Sequence, residues 1–135
     1  MLKIMIEQKK ENLSLLPTKY SHTLNITNGG VRNGNYTNNA AFVDVVTIPG
    51  ASRLEINITY ATESSSLDWV CMWVGEHPNY TAANNYGSSL TGRLGGVTQQ
   101  TNHYSVEGNT VTFGFRSDAS VSNYYGYYAV ITGIR

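Results

Sequence analysis

The chain is poor in charge and in cysteine. Charged residues make up 13% of its 135 positions, and nine basic against nine acidic side chains leave a formal net charge of zero. Nucleic acid and anionic membranes are held through clustered Lys and Arg, so neither is an expected partner. Lys3, Lys9 and Lys10 are interleaved with Glu7 and Glu11 and do not form a basic patch. Cys71 is the only cysteine, which excludes an intrachain disulfide and a structural zinc site built on thiolates. The opening stretch MLKIMIEQKKENLSLL is too short and too charged to span a bilayer. It also lacks the apolar block and small-residue cleavage site of a signal peptide. The expected localisation is a virion or extracellular surface, reached without a cleaved leader.

Asn, Thr, Ser, Gly and Tyr fill the space that charge leaves, and they are residues of strands and tight turns. From Tyr20 onward the pattern has period two. SRLEINITY sets Leu54, Ile56, Ile58 and Tyr60 on one face, with Glu55, Asn57 and Thr59 on the other. TVTFGFRS alternates Val111, Phe113 and Phe115 in the same way. SHTLNIT, FVDVVTI, SLTGRLGG, TQQTNHYSV and YGYYAVITGI read as further strands. Asn28-Gly29-Gly30, Asn33-Gly34, Pro49-Gly50 and Glu107-Gly108-Asn109 mark turns. DWVCMWV is apolar on both faces, which predicts a central strand whose outer face is covered by a loop or a partner.

About eight short strands with turns between them predict an all-β, antiparallel two-sheet sandwich or barrel. The expected core contains Ile56, Ile58, Val70, Met72, Phe113, Phe115 and Val130. Residues 1–20 concentrate charge and contain Pro17. They are compatible with a short helix, a first strand or a leader. The favoured reading is an N-terminal arm that packs on another subunit and precedes a single domain over 21–135.

Catalytic patterns are thin. His22, His77 and His103 are scattered, and no serine stands in a Gly-x-Ser-x-Gly elbow. His77, directly before Pro78, reads as a loop residue rather than a base. Gly29-Gly30 and Gly95-Gly96 precede no helix start and are not phosphate cradles. The expectation is a protein without enzymatic activity, a small hydrolase being the less favoured alternative. The carboxylates point elsewhere. Glu63 follows one strand, Asp68 precedes the next, and Asp118 stands at a third strand end. Three carboxylates gathered on end loops suit Ca²⁺, which takes six to eight oxygen ligands in irregular geometry. Ser120 and Asn123 can add oxygens. Solvated turn residues and an Asx cap at Asp118 are the competing reading.

Three stretches carry a resemblance to the CUB domain, a jelly-roll-like β-sandwich of extracellular recognition proteins. They are GNYTNN, then LEINITYATESSSLDWVCMWVG, then VTFGFRSDASVSNYYGYYAVI, the last being the most specific. The resemblance covers about Gly34 to Ile134. It implies that Glu63, Asp68 and Asp118 are calcium ligands. The family's disulfides are absent, and the long GEHPNYTAANNYGSS loop is not a family feature. A divergent bacterial or phage relative is therefore expected.

The function expected from these features is a non-catalytic binding or adhesion module. It would be a phage fibre, tail or capsid-decoration component that contacts a host-surface glycan or protein. A purely structural assembly subunit is the alternative. Tyr80 and Tyr86, with Asn84 and Asn85 between them, are the candidate ligand-binding residues, because aromatic rings stack on sugars and amides bond their hydroxyls. Other virion or structural subunits, met through the arm, are the expected partners in an oligomeric assembly.

Overall fold

The computed structural model describes residues 19–25, 36–120 and 124–135, with the backbone alone described for 19–25. The proposed arm lies outside the described residues up to position 18, and residues 19 and 20 belong to the first strand. The strands are β1 (Lys19–Asn25), β2 (Ala41–Thr47), β3 (Arg53–Ala61), β4 (Trp69–Val74), β5 (Gln100–Glu107), β6 (Thr110–Arg116) and β7 (Gly126–Ile134). They form a four-stranded sheet in the order β1-β7-β3-β5 and a three-stranded sheet in the order β2-β6-β4, with every pair antiparallel. The protein is an all-β two-sheet sandwich.

The pairing is nested. The first strand pairs with the last, β2 with β6, and β3 with β5. The innermost partner of β4 is a single bridge between Val70 and Leu94. Counting that bridge as a reduced eighth strand, the chain is a long hairpin rolled into two sheets, the jelly-roll arrangement.

The period-two pattern accounts for the core. Leu54, Ile56, Ile58 and Tyr60 of β3 meet Val70 and Met72 of β4 and Val111, Phe113 and Phe115 of β6. Tyr127, Ala129 and Ile131 of β7 complete the filling. Phe113 stacks on Tyr127 at 5.7 Å between centroids, and Tyr36 meets Phe115 edge-on at 5.0 Å.

Three expectations are corrected. Val130 is half-buried on the outer face and does not enter the core, because Ala129 and Ile131 take the inward positions opposite Ile58 and Ile56. The SLTGRLGG stretch is not a strand and contributes only the bridge at Leu94. Gly95 lets it press against a neighbouring loop, since a Cβ there would lie 2.5 Å from Thr62 Oγ1 and 2.6 Å from the Asp68 carbonyl. Finally, β4 lies at an edge in the hydrogen-bonding order, not at the centre of its sheet.

The outer face of β4 is apolar because residues 80–86 cover it. Trp69, Cys71 and Trp73 form a second buried cluster with Ala82, flanked by Tyr80 and Tyr86. The cover contains a short helix, α1 (Ala82–Asn85), followed by a 3-10 turn over Tyr86–Ser88. No periodicity foretold it. Thr81 caps α1 by accepting the Asn84 N–H at 3.1 Å. The helix docks through its carbonyls: Trp69 Nε1 donates to Ala82 O at 3.1 Å and Trp73 Nε1 to Asn85 O at 2.9 Å. Gly114 on β6 makes room for this layer, because a Cβ there would stand 2.7 Å from Trp73 Cη2. Burial pushes the Cys71 thiol up to about 12 and keeps it protonated.

The register sets a contrast that denaturant unfolding can measure. Phe113→Ala should lose about 3–5 kcal/mol, since it empties a closed core position. Val130→Ala should lose under about 1 kcal/mol, in keeping with its place outside the core. Equal losses would show that the β7 register is wrong.

Candidate functional site

The loop end of the sandwich gathers Glu63, Asp68 and Asp118. Each offers a carboxylate oxygen, and the three oxygens lie within 4.8 Å of one another. Glu63 and Asp118 are half-buried, whereas Asp68 is fully buried. Strand ends do the positioning. Glu63 follows β3, Asp68 precedes β4, and Asp118 follows β6, which pairs with β4 so that Arg116 lies opposite Trp69.

The turn between Glu63 and Asp68 is closed by its own backbone, with Asp68 N–H donating to Ser64 O at 2.9 Å. Thr62 Oγ1 donates to the Asp68 carbonyl at 2.9 Å and accepts the Gly96 N–H at 2.9 Å. The five-residue step therefore turns both carboxylates toward one point, as the strand-end placement predicts.

Tyr36 is a site residue that sequence reasoning did not single out. Its hydroxyl donates to Asp68 Oδ2 at 2.5 Å and accepts the Glu63 N–H at 3.0 Å. The other Asp68 oxygen, Oδ1, accepts the Asp118 N–H at 2.8 Å. Tyr36 lies inside the GNYTNN stretch, but no periodicity marked it; the packing of its ring on Phe115 and the bond from its N–H to Tyr124 O at 3.1 Å bring it here.

The opening of the Arg116-Ser117-Asp118 loop is equally constrained. Ser117 is buried; its hydroxyl donates to Thr37 O at 2.7 Å and accepts the Ala40 N–H at 2.8 Å. Ser120 binds the cluster from the outer side. Its N–H and its hydroxyl both donate to Asp118 Oδ1, at 3.0 and 2.8 Å, and the hydroxyl also reaches Glu63 Oε1 at 3.4 Å. Asn123 lies outside the described residues.

The charges respond to this crowding in opposite ways. Desolvation, and then the neighbouring Asp118 and Asp68, raise the Glu63 pKa. The hydrogen bonds from the Ser120 backbone and side chain lower that of Asp118, with a weaker contribution from the Arg116 charge. Among the described residues the ion pairs are Arg53–Glu55 and His103–Glu55, and none involves the cluster, on which Arg116 acts only from a distance.

The donor set is uniformly hard oxygen, without imidazole or thiolate. Calcium binds oxygen at 2.3–2.6 Å, so ligands on opposite sides of one ion stand roughly 5 Å apart. The observed separation fits that sphere. It also fits the cost of burying the Asp68 carboxylate, which an ion would offset.

The candidate ligand-binding residues occupy a different place, on the cover over β4. Tyr80 is half-buried, meets Trp73 edge-on at 5.3 Å and stacks on His77 at 4.3 Å. His77 is held in turn by a 2.9 Å contact between Nε2 and Val74 O. Tyr86 is half-buried against Trp69. Asn84 is exposed on α1, and Asn85 Oδ1 accepts the Thr81 N–H at 3.0 Å. These side chains therefore hold the cover down as well as facing outward. A shallow cleft of about 460 Å³ runs beside Trp73, Val74, His77, Tyr80, Ser88, Ser89 and Leu90. Val74 and Leu90 are exposed there, and Ser88 and Ser89 supply hydroxyls.

No family model matches the chain, and no curated protein matches it.

Two substitutions probe the site. Tyr36→Phe should cost about 1–3 kcal/mol, since it leaves a buried carboxylate oxygen without its donor. Glu63→Gln tests the charge crowding. A raised folded-state pKa means that the folded protein binds more protons than the unfolded one between the ordinary and the raised value. Stability is then lost as pH rises through that window. In chelator, Glu63→Gln should therefore melt higher than the parent above this window, and the gain should disappear below it. A variant no more stable at neutral pH would contradict the crowding.

Proposed function

We propose that the protein is a non-catalytic binding module whose loop end is ordered by a calcium ion. The observation that carries this reading is the convergence of Glu63, Asp68 and Asp118 to within 4.8 Å of one another, with Asp68 fully buried. The three carboxylates would hold the ion, and Ser120 and Asn123 supply further oxygens. Bound there, calcium neutralises the cluster and joins the loop after β3 to the loop after β6. It thereby stiffens the edge of the sandwich beside the Trp69 cluster.

The module belongs, in this reading, to an exposed assembly such as a phage virion, where it contacts a host-surface glycan or protein. Low charge, abundant Asn, Thr and Tyr, and the CUB-like stretches support that placement. The aromatic and hydroxyl-lined cleft at Tyr80 supports carbohydrate contact.

Thermal denaturation tests the calcium reading directly. An ion that binds only the folded state stabilises it by about 2.7 kcal/mol at a hundredfold excess over Kd. Millimolar calcium should raise Tm, chelator should lower it, and Asp118→Asn should remove the difference. Identical melting curves with and without calcium would leave Asp118 as a turn cap only.

A further inference from the structure

Two of the few basic side chains converge on one buried indole. Trp69 is 4% exposed, and the Arg93 and Arg116 guanidinium carbons lie 5.2 and 5.0 Å from its ring. Arg93 also lies 5.0 Å from the ring of Tyr86, which meets Trp69 edge-on. The fold places the two arginines on separate elements. Arg116 ends β6 opposite Trp69, while Arg93 is held beside β4 by the Leu94–Val70 bridge.

Neither guanidinium forms an ion pair among the described residues. Among the described residues the only hydrogen bond from either is a long one, Arg116 Nη2 to Ser117 O at 3.4 Å. Arg93 is exposed and Arg116 half-buried. Asp118, two residues beyond Arg116, has its Oδ1 engaged by Ser120 and belongs to the carboxylate cluster. Ring stacking occupies the face of a guanidinium and leaves its N–H edge for an oxyanion. The rings therefore hold two cationic forks in place before any ligand arrives, which lowers the ordering cost of binding.

We infer that Arg93 and Arg116, held on either element beside Trp69 and Tyr86, form a binding site for an acidic carbohydrate with carboxylate or sulfate groups on successive sugars. The inference rests on the binding-module reading and adds the ligand class. Two forks carried on separate elements beside one indole offer two bidentate contacts, which suit a ligand with repeated anionic groups better than a single small anion. Tyr86 and the exposed Asn84 next to it supply a ring face and an amide of the kind sugars use. Nucleic acid is disfavoured, because the chain has no net positive charge to gather phosphates.

Binding of the full-length chain to immobilised polygalacturonate at low salt, beside neutral dextran and polyglutamate, tests the site. The parent protein should bind polygalacturonate and neither control. Arg93→Gln and Arg116→Gln should each weaken binding at least about fivefold, and the double variant should abolish it. Arg93→Lys and Arg116→Lys should each retain binding only in part, since an ammonium cannot form the two-pronged contact. Unchanged Tm and tryptophan fluorescence confirm that the cover over β4 is intact in the variants used. Absence of polygalacturonate binding overturns the inference. So does equal binding to polyglutamate, or a double variant that binds as the parent does. Each arm is run with calcium and with chelator. Arginine-dependent binding that persists without a calcium effect on Tm would sink the calcium reading and leave this one standing.

Discussion

The buried carboxylate of Asp68 is the constraint on which the loop end depends. One oxygen is taken by the Tyr36 hydroxyl and the other by the Asp118 backbone, while its own carbonyl is held by Thr62. Three stretches distant in sequence thus meet at a single side chain. A buried anion with uncompensated charge is costly, so such a residue persists only where its surroundings satisfy it fully. Here two neutral donors satisfy its geometry and leave its charge. That division separates what the fold supplies, hydrogen bonds, from what an ion would supply, compensation of charge. It also explains why Glu63 and Asp118 behave differently although they are neighbours. Ser120 stabilises the ionised form of Asp118 with two short hydrogen bonds, while Glu63 receives one long contact and bears the repulsion.

The sandwich has a second apolar layer that an ordinary two-sheet protein lacks. The main core lies between the sheets, and the Trp69–Cys71–Trp73 layer lies outside the smaller one under α1. The cover gains little from helix propensity, because four residues cannot form a stable helix alone. It is held by two indole N–H bonds and by ring packing. The half-buried state of Tyr80 and Tyr86 follows from this double duty. Any ligand of the cover would meet aromatic edges whose orientation is already set by the indoles beneath them.

Much of this was legible in the residues, for identifiable reasons. The β3 and β6 stretches alternate strictly, so their inward faces could be read directly. YGYYAVITGI is apolar in both registers, and only pairing with β3 decides that Ala129 rather than Val130 turns inward. DWVCMWV is apolar on both faces whether its cover comes from a sheet or from a loop, so its edge position was hidden. SLTGRLGG alternates weakly, yet the positive φ of Gly92 and Gly96 and the close approach at Gly95 break strand pairing. At the site, Glu63, Asp68 and Asp118 were readable because all three stand at strand ends. Tyr36 was not, because a hydroxyl that meets a carboxylate 32 positions away leaves no local trace.

The nested pairing has a consequence for how the chain comes together. The middle strand of the smaller sheet is β6, and β7 lies between β1 and β3 in the larger one. During synthesis these two strands emerge after all the strands they join. Until then β1, β2 and β4 have none of the neighbours that flank them in the finished sheets, apart from the single bridge at Leu94. Only the β3–β5 ladder can form earlier. Assembly therefore waits on contacts between distant parts of the chain, which are slow to close and leave strand edges open meanwhile. A ribosome that stalls before residue 110 holds a chain with most of its described strands made and only the β3–β5 ladder able to join.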